Sequence, residues 1–346
     1  MGFKQWTGLI VLVVSIYILW QIKQVLLLAF AAVVFATVIN RLVRLLQRWN
    51  IKRSFAIIIA VTTILIVLFG FFALVIPAFI EQTQELAVLF PKGIEQLSDW
   101  ASRLRNLLPE RFLSGWQNLD EMVQNQLQTW TDGLVNNFLS VFSGTLTVAL
   151  NTLLLIVVTI MLLANPKPYR NIFLLLFPAF YRSRVDEILD ESEINLSGWA
   201  IGTFFNMTVI TFLSGIGLWI LGVRLPLANA LLAGLLTFIP NLGPTLSVVP
   251  PAILALIDDP WKAVAVIILY IVIQQVEGTI LTPLVMQRQV SLLPAITILS
   301  QVAFAAFLGI FGLFLALPIL VVAMVWVKKA LIEDVLNKWQ NDNVQG

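Results

Sequence analysis

Residues 225–257 read LPLANALLAGLLTFIPNLGPTLSVVPPAILALI, an apolar run broken in its middle by Pro240, Asn241, Gly243 and Pro244. Each arm holds about 15 residues, or ~22 Å of helix, against ~30 Å of hydrocarbon. Arms that short suit a helical hairpin that enters a bilayer and returns. Irregular backbone at such depth survives only where protein buries it or water lines it. Residues 294–327, PAITILSQVAFAAFLGIFGLFLALPILVVAMVWV, repeat the idea with breaks at Gly309 and Gly312. A full-length apolar run precedes each hairpin, at 200–223 and 261–286. A span plus hairpin is thus followed by a span plus hairpin of opposite orientation. The halves share little sequence, though Phe238, Gly243 and Pro250 echo Phe307, Gly312 and Pro318. Paired broken segments in corresponding halves of an inverted repeat point to a transporter's binding site.

The rest of the composition agrees. Of 346 residues, 59% are hydrophobic and 12% charged, and mean hydropathy is +0.93. No soluble domain buries that much apolar surface, and continuous runs argue against a β-barrel's ten-residue alternation. The fold class expected is all-α and polytopic: about five to six spans, two re-entrant hairpins and a small extramembrane helical insert. Net charge is only +2, so no nucleic-acid partner is indicated. Cys and His are both absent. That removes disulfides, thiol chemistry, haem ligation by His, the usual zinc sites and Ser–His dyads. No Walker loop appears. No cofactor and no metal is expected, and no enzymatic activity.

Two short runs open the chain, Trp6–Trp20 and Val25–Ile39, and read as a hairpin of short or tilted helices split at residues 21–24. The basic stretch Asn40–Arg53 carries Arg41, Arg44, Arg48, Lys52 and Arg53 and no acid, and reads as a loop in the cytoplasm. Phe55–Ile80 completes a membrane region over residues 1–80. Residues 81–143 hold four bases against eight acids, net −4, with apolar residues at helical spacing. They are expected to form a helical insert outside the cytoplasm. Residues 144–199 comprise a returning span and a cytoplasmic linker, in which Ile188, Leu189, Ile194 and Leu196 mark an amphipathic helix suited to the inner membrane surface. Residues 200–334 form the expected transport core, and a polar tail covers 335–346. The expected location is a bacterial inner membrane, with the C-terminus cytoplasmic. Trp6, Trp20, Trp199, Trp261 and Trp326 fall near span ends, as interface anchors do.

Glu277 is the only acid inside the full-length spans read from the sequence. An ionisable group at that depth costs several kcal/mol (about 3 or more) unless paired, hydrated or protonated, which makes it a functional candidate. Gln274, three residues earlier, can share its face. The alternative is a structural acid bonding the broken backbone of a hairpin. In Pro240-Asn241-Leu242-Gly243-Pro244, two prolines remove two donors and free carbonyls that can hold a cation or polar solute. The alternative there is a simple tight turn. Asn206, Thr208, Thr211 and Ser214 give the span 200–223 a polar edge that can line a path, although membrane hydroxyls more often bond their own backbone.

From Ser197 to Asp334 the chain resembles the autoinducer-2 exporter family, also described as PerM-like permeases. The match rests on Leu221-Gly222-Val223, Ile239-Pro240-Asn241-Leu242-Gly243-Pro244 and Pro250-Pro251-Ala252. It continues in Glu277 followed by Leu281-Thr282-Pro283, in Val290-Ser291-Leu292-Leu293-Pro294, and in Gly309-Ile310-Phe311-Gly312 leading to Ala316-Leu317-Pro318. The N-terminal region and the insert extend the resemblance over essentially the whole chain. It implies a homo-oligomeric transporter, for instance a cyclic pentamer, whose hairpins form a mobile unit. The family's Pro-Gly-Pro tip and Glu fall here on Pro240, Gly243, Pro244 and Glu277. Two positions depart: Leu293 stands where the family often has His, and Thr203 follows Gly202 where Gln is usual. A proton step through that His is unavailable here.

The leading expectation is a secondary transporter that exports a small polar metabolite or signal, driven by protons. The runner-up is a sodium (or lithium)/proton antiporter, since a lone buried acid can hold a proton or a cation. From another class, the chain reads as a structural membrane scaffold. The partners expected are the bilayer, a small polar solute, H+ or Na+, and further copies of the chain.

Overall fold

The computed structural model describes residues 14–70 apart from 16 and 19, together with 73, 77, 145–240, 242–281, 283 and 293–337. The insert expected at 81–143 and Asn241 lie outside the described residues. Among the described residues every regular element is helical, so the fold class is all-α. Five helices are long and apolar enough to cross a membrane, or six when the bent pair Leu150–Ala164 and Pro166–Leu175 counts as one span. The described residues divide into two compact units: those within 1–65, 151–202 and 285–346, and those within 66–150 and 203–284.

In the first unit, helix α1 (Lys23–Gln47) buries Ala36, Ile39, Val43 and Leu46, a three–four–three spacing that lines one face. They pack on Ala56, Ile57 and Ala60 of α2 (Arg53–Gly70) and on Leu163 of α3 (Thr145–Ala164). Lipid is as apolar as leucine, so close packing through small residues holds such helices together. The same reasoning explains why Phe55, Ile66 and Phe69 are exposed: that surface suits acyl chains.

Three expectations change here. No reversal occurs at residues 21–24, because helical bonds run from Ile22 N to Ile18 O and from Leu26 N to Ile22 O, both 3.0 Å. Most of the basic stretch is not a loop, because α1 continues to Gln47 and only a short turn precedes Arg53. Arg44 in the last turn suits the negative helix end, and Asn50 makes the turn at φ 60°. Third, the amphipathic linker helix and the span at 200 are one continuous helix, α5 (Arg182–Ile220), of 39 residues. At ~1.5 Å per residue its length is about 58 Å, roughly twice the hydrocarbon thickness. Gly198 and Gly202 cost only about 1 kcal/mol each, too little to break it. Its first-half acids turn to protein cations: Arg44 to Glu193 at 2.6 Å, Arg170 to Asp190 at 2.6 Å, and Lys329 to Glu191 at 2.9 Å. The chain instead bends earlier, by 91° between α3 and α4 (Pro166–Leu175).

The second unit holds the first hairpin. Helix α6 (Pro226–Leu236) rises to the tip, and α7 (Leu242–Ser247) and α8 (Val249–Asp258) return. The feet are pinned twice. Asn229, fully buried, donates to the carbonyls of Arg224 at 3.3 Å and Leu225 at 3.1 Å. Arg224 also pairs with Asp258 at 3.0 Å. Asp259 then caps α9 (Pro260–Val276), accepting from Trp261 N at 3.0 Å, with Pro260 in the first turn. The core joins Ile210 and Leu218 of α5, Ala233 of α6, Leu254 and Ala255 of α8, and Val266, Tyr270 and Ile273 of α9.

The second hairpin belongs to the first unit. Helix α10 (Pro294–Trp326) leaves helical geometry at Gly309, with φ 68° and ψ −154°. Only glycine adopts that region readily. Gly312 then approaches the Phe304 carbonyl and Leu308 so closely that a Cβ there would collide with both. Eight residues of straight helix would separate Phe304 from Gly312 by about 12 Å, so the arm folds back on itself. Beyond it, a π-helical stretch runs from Val327 to Leu336.

Candidate functional site at the hairpin tip and the broken end of helix α9

The first hairpin turns at Thr237–Pro240. Thr237 and Ile239 are buried, as is Gly243, and Pro240 is half-buried. The freed carbonyls are largely reused: Leu235 O accepts from Phe238 N, Leu236 O from Ile239 N, and Ile239 O from Gly243 N. Ala233 O accepts from both the Thr237 amide and its hydroxyl. Gly243 presses on the Leu236 carbonyl and the Thr237 nitrogen with no room for a Cβ. Glycine is needed here for close approach rather than for an unusual φ. The tip is tightly packed backbone. Nothing is described of the Pro244 side chain.

Helix α9 stops being α-helical at Glu277, and residues Glu277–Leu281 form a π-helical turn. Such turns widen the helix by one residue and recur at functional sites. Tyr270 and Ile273 are buried, and Glu277, seven residues after Tyr270, lies on the same inward face, half-buried. Its carboxylate has no hydrogen-bond or ion-pair partner among the described residues. Gln274 is exposed, and Gln275 donates to the Thr279 hydroxyl at 3.2 Å across the π turn. Leu281 returns to the buried face. A Cβ on Gly278 would meet nothing within 4 Å.

The polar edge of α5 divides. Thr208 is exposed and donates to Phe204 O at 2.8 Å. Thr211 donates to Met207 O at 2.8 Å and packs against Gly234 of the hairpin, where a Cβ would collide with its hydroxyl. Both hydroxyls are thus engaged by their own helix. Asn206 differs, because its side-chain oxygen is buried without a partner. Among the described residues three further groups share that condition: Ser214 Oγ, Tyr270 Oη and, on α10, Gln301 Nε2. Ser214 faces Tyr270 between α5 and α9, yet neither oxygen makes a hydrogen bond of ordinary geometry. Tyr270 was not a sequence candidate. Its signal was available, since a Tyr lies two turns before the acid, in the apolar stretch Ala263–Ile273 of the helix.

Unpartnered buried hydroxyls cost roughly 1–3 kcal/mol each. They persist where water, a solute or another conformation supplies the partner. The inward edge of α5 and α9 therefore carries oxygens that can accept or donate, and α9 ends at a half-buried acid.

A protein-family model described as "AI-2E family transporter" matches residues 9–332. Among curated relatives, "Putative transport protein YhhT" of Escherichia coli (strain K12) is 29% identical over 327 residues, covering 93% of this chain and 88% of that protein. "Putative permease PerM" of the same organism is 25% identical over 344 residues, 97% and 93% of the two chains. "AI-2 transport protein TqsA", also from that strain, is 25% identical over 300 residues, 85% and 83%.

Proposed function

Because the chain belongs to the AI-2E transporter family and is a multi-pass membrane protein, we propose that it exports a small polar metabolite or signalling molecule by proton-coupled alternating access. The observation that carries this reading is Glu277: a half-buried carboxylate at the first residue of a π turn in an apolar helix, with no partner among the described residues. Protonated, it is neutral and compatible with an occluded state; ionised, it demands water or a cation. Cycling between the two gives coupling. The transport core is residues 200–334. Two hairpins, one in each compact unit, supply broken backbone of the kind that lines transporter sites. TqsA, named for AI-2 transport, supports a small polar signal as cargo. The positive stretch 40–53 and the C-terminus are cytoplasmic and 81–143 lies outside. A Cys at Asn118 that reacts only from the cytoplasmic side would invert that topology. The chain works as a homo-oligomer, to be checked by mass measurement in detergent.

The decisive experiment is efflux from proteoliposomes under an imposed pH gradient, comparing the native protein with Glu277→Gln, which keeps size while fixing the neutral state. Gradient-driven transport is lost and the variant still inserts and assembles. Undiminished pH-driven transport by Glu277→Gln would remove the acid from the mechanism. Sodium flux that depends on Glu277, with no organic cargo moved, would replace the exporter with a sodium–proton antiporter.

A further inference from the structure

The 91° bend after α3 places a short helix across the end of a span. Helix α3 has 20 residues, about 30 Å, the thickness of the hydrocarbon. Its described side chains Leu153, Leu154, Val157 and Met161 are exposed, as a lipid-facing surface requires. Asn165 leaves helical geometry at φ −139° and ψ 77°, and Pro166 starts α4 anew. A helix at a right angle to a span lies in the plane of the membrane surface.

Its orientation about its own axis is fixed by one residue. Arg170 bonds the carboxylates of Asp186 and Asp190, and the Asp186 carbonyl at 2.8 Å, all on α5. At about 100° per residue, Pro168, Ile172 and Leu175 fall within roughly 60° of one another and opposite Arg170. Ile172 and Leu175 are each 63% exposed, Leu176 is 75% exposed, and Phe180 is 88% exposed. Phe173 and Phe177 instead stack beside Trp326, at 6.4 and 5.8 Å between ring centres. From Asn165 to Val185 the chain carries Lys167, Arg170, Arg182 and Arg184 and no acid. We propose that Pro166–Phe180 is an interfacial anchor that seats Ile172, Leu175, Leu176 and Phe180 at the headgroup–acyl boundary of a phospholipid bilayer.

The occupant is the bilayer rather than a second copy of the chain, because this apolar face continues the exposed face of α3 and runs perpendicular to it. Lys167, exposed on α4, is free to meet a phosphate headgroup, while Arg170, Arg182 and Arg184 are taken up by protein partners. The anchor does not depend on the transport reading, and works on whichever side α3 ends.

The chain has no native cysteine, so single cysteines at Leu176, at Phe180 and at Lys167 can carry an environment-sensitive fluorophore in the full-length protein, reconstituted in phosphatidylcholine–phosphatidylglycerol vesicles. A fourth label at Val157 on α3 reports insertion whatever the segment does. Labels at Leu176 and Phe180 should be quenched by shallow lipid-borne nitroxide and shielded from aqueous iodide, and the Lys167 label should show the reverse. Iodide quenching at Leu176 and Phe180 equal to that at Lys167, with Val157 lipid-quenched, would overturn the anchor. Self-quenching between Leu176 labels that vanishes when labelled and unlabelled protein are mixed would assign the face to a second copy and equally overturn it.

Discussion

Arg224 and Asp258 sit 3.0 Å apart at the two feet of the first hairpin, one just before α6 and the other at the last residue of α8. The pair ties the start of the hairpin to its end. Its side chain is about half exposed and that of Asp258 one-fifth exposed, so the pair contributes only about 0.2–1 kcal/mol. Arg224→Gln and Asp258→Asn should each lower the melting temperature slightly and by less than additive amounts when combined. Strict additivity in a double-mutant cycle, read by tryptophan fluorescence in detergent, would show no coupling between the feet.

The two hairpins depend on glycines of different kinds. Gly243→Ala drives a methyl into the Leu236 carbonyl, and Gly312→Ala into the Phe304 carbonyl. Backbone cannot yield as a side-chain tip does, so each should cost about 1–3 kcal/mol. Gly309→Ala adds backbone strain of roughly 1–3 kcal/mol without a clash. Gly278→Ala meets empty space and should leave stability nearly unchanged. Thermal unfolding of the four variants ranks them, and equal losses across the set would refute the packing argument.

Tyr270 and Ser214 hold buried oxygens without hydrogen-bond partners among the described residues. Removing an orphan hydroxyl restores nothing lost, so Tyr270→Phe should be neutral or slightly stabilising. Transport is the informative readout. If the hydroxyl is partnered in another state of the cycle, Tyr270→Phe lowers turnover while keeping its melting temperature. A drop in stability with turnover intact would assign the hydroxyl a purely structural partner.

On the side where α5 begins, the π-helical stretch Val327–Leu336 is held by charge. Arg184 pairs with Glu187 at 2.7 Å, Glu333 at 2.8 Å and Asp334 at 3.0 Å, and Tyr181 donates to Asp334 at 2.8 Å. Tyr181, Arg184 and Glu187 precede the apolar second half of α5. Hydrogen bonds from Arg184 first, then Lys329, hold the Glu187 carboxyl below the usual carboxylate range. A depressed folded pKa means the stabilisation is complete above the ordinary Glu range and is lost as pH falls through the lowered value. Hydrogen exchange over 327–336 should therefore quicken with acidification, and with salt. Arg184→Gln should produce that quickening at neutral pH. Exchange unaffected by either change would show that packing, not charge, holds the stretch.

Much of this was legible in the residues. Apolar run lengths and the absence of alternation allow only helices in a membrane, since lipid satisfies no backbone donor. Pro240–Pro244 and Gly309 announced their breaks because proline removes donors and glycine tolerates positive φ. Glu277 stood out because an acid in an apolar run is costly wherever it falls. The ends of the basic stretch were less legible. Arg, Leu and Gln are good helix formers, so α1 runs on through Asn40–Gln47 with no local stop signal.

What needed the tertiary structure was everything that depends on a partner far along the chain. The residues of α5 are amphipathic in its first half and apolar in its second, and local pattern reads that change as two elements. Only Arg170, Lys329 and Arg44, distant in sequence, decide that the acids face protein and that one helix continues through both halves. The role of Gly312 likewise waits on where Phe304 comes to rest after the chain folds back. Composition and periodicity act within a few residues and determine the solvent, the element type and the breaks. Close packing and charge pairing act across the chain, and they decide which bases meet which acids and which hydroxyls remain without a partner.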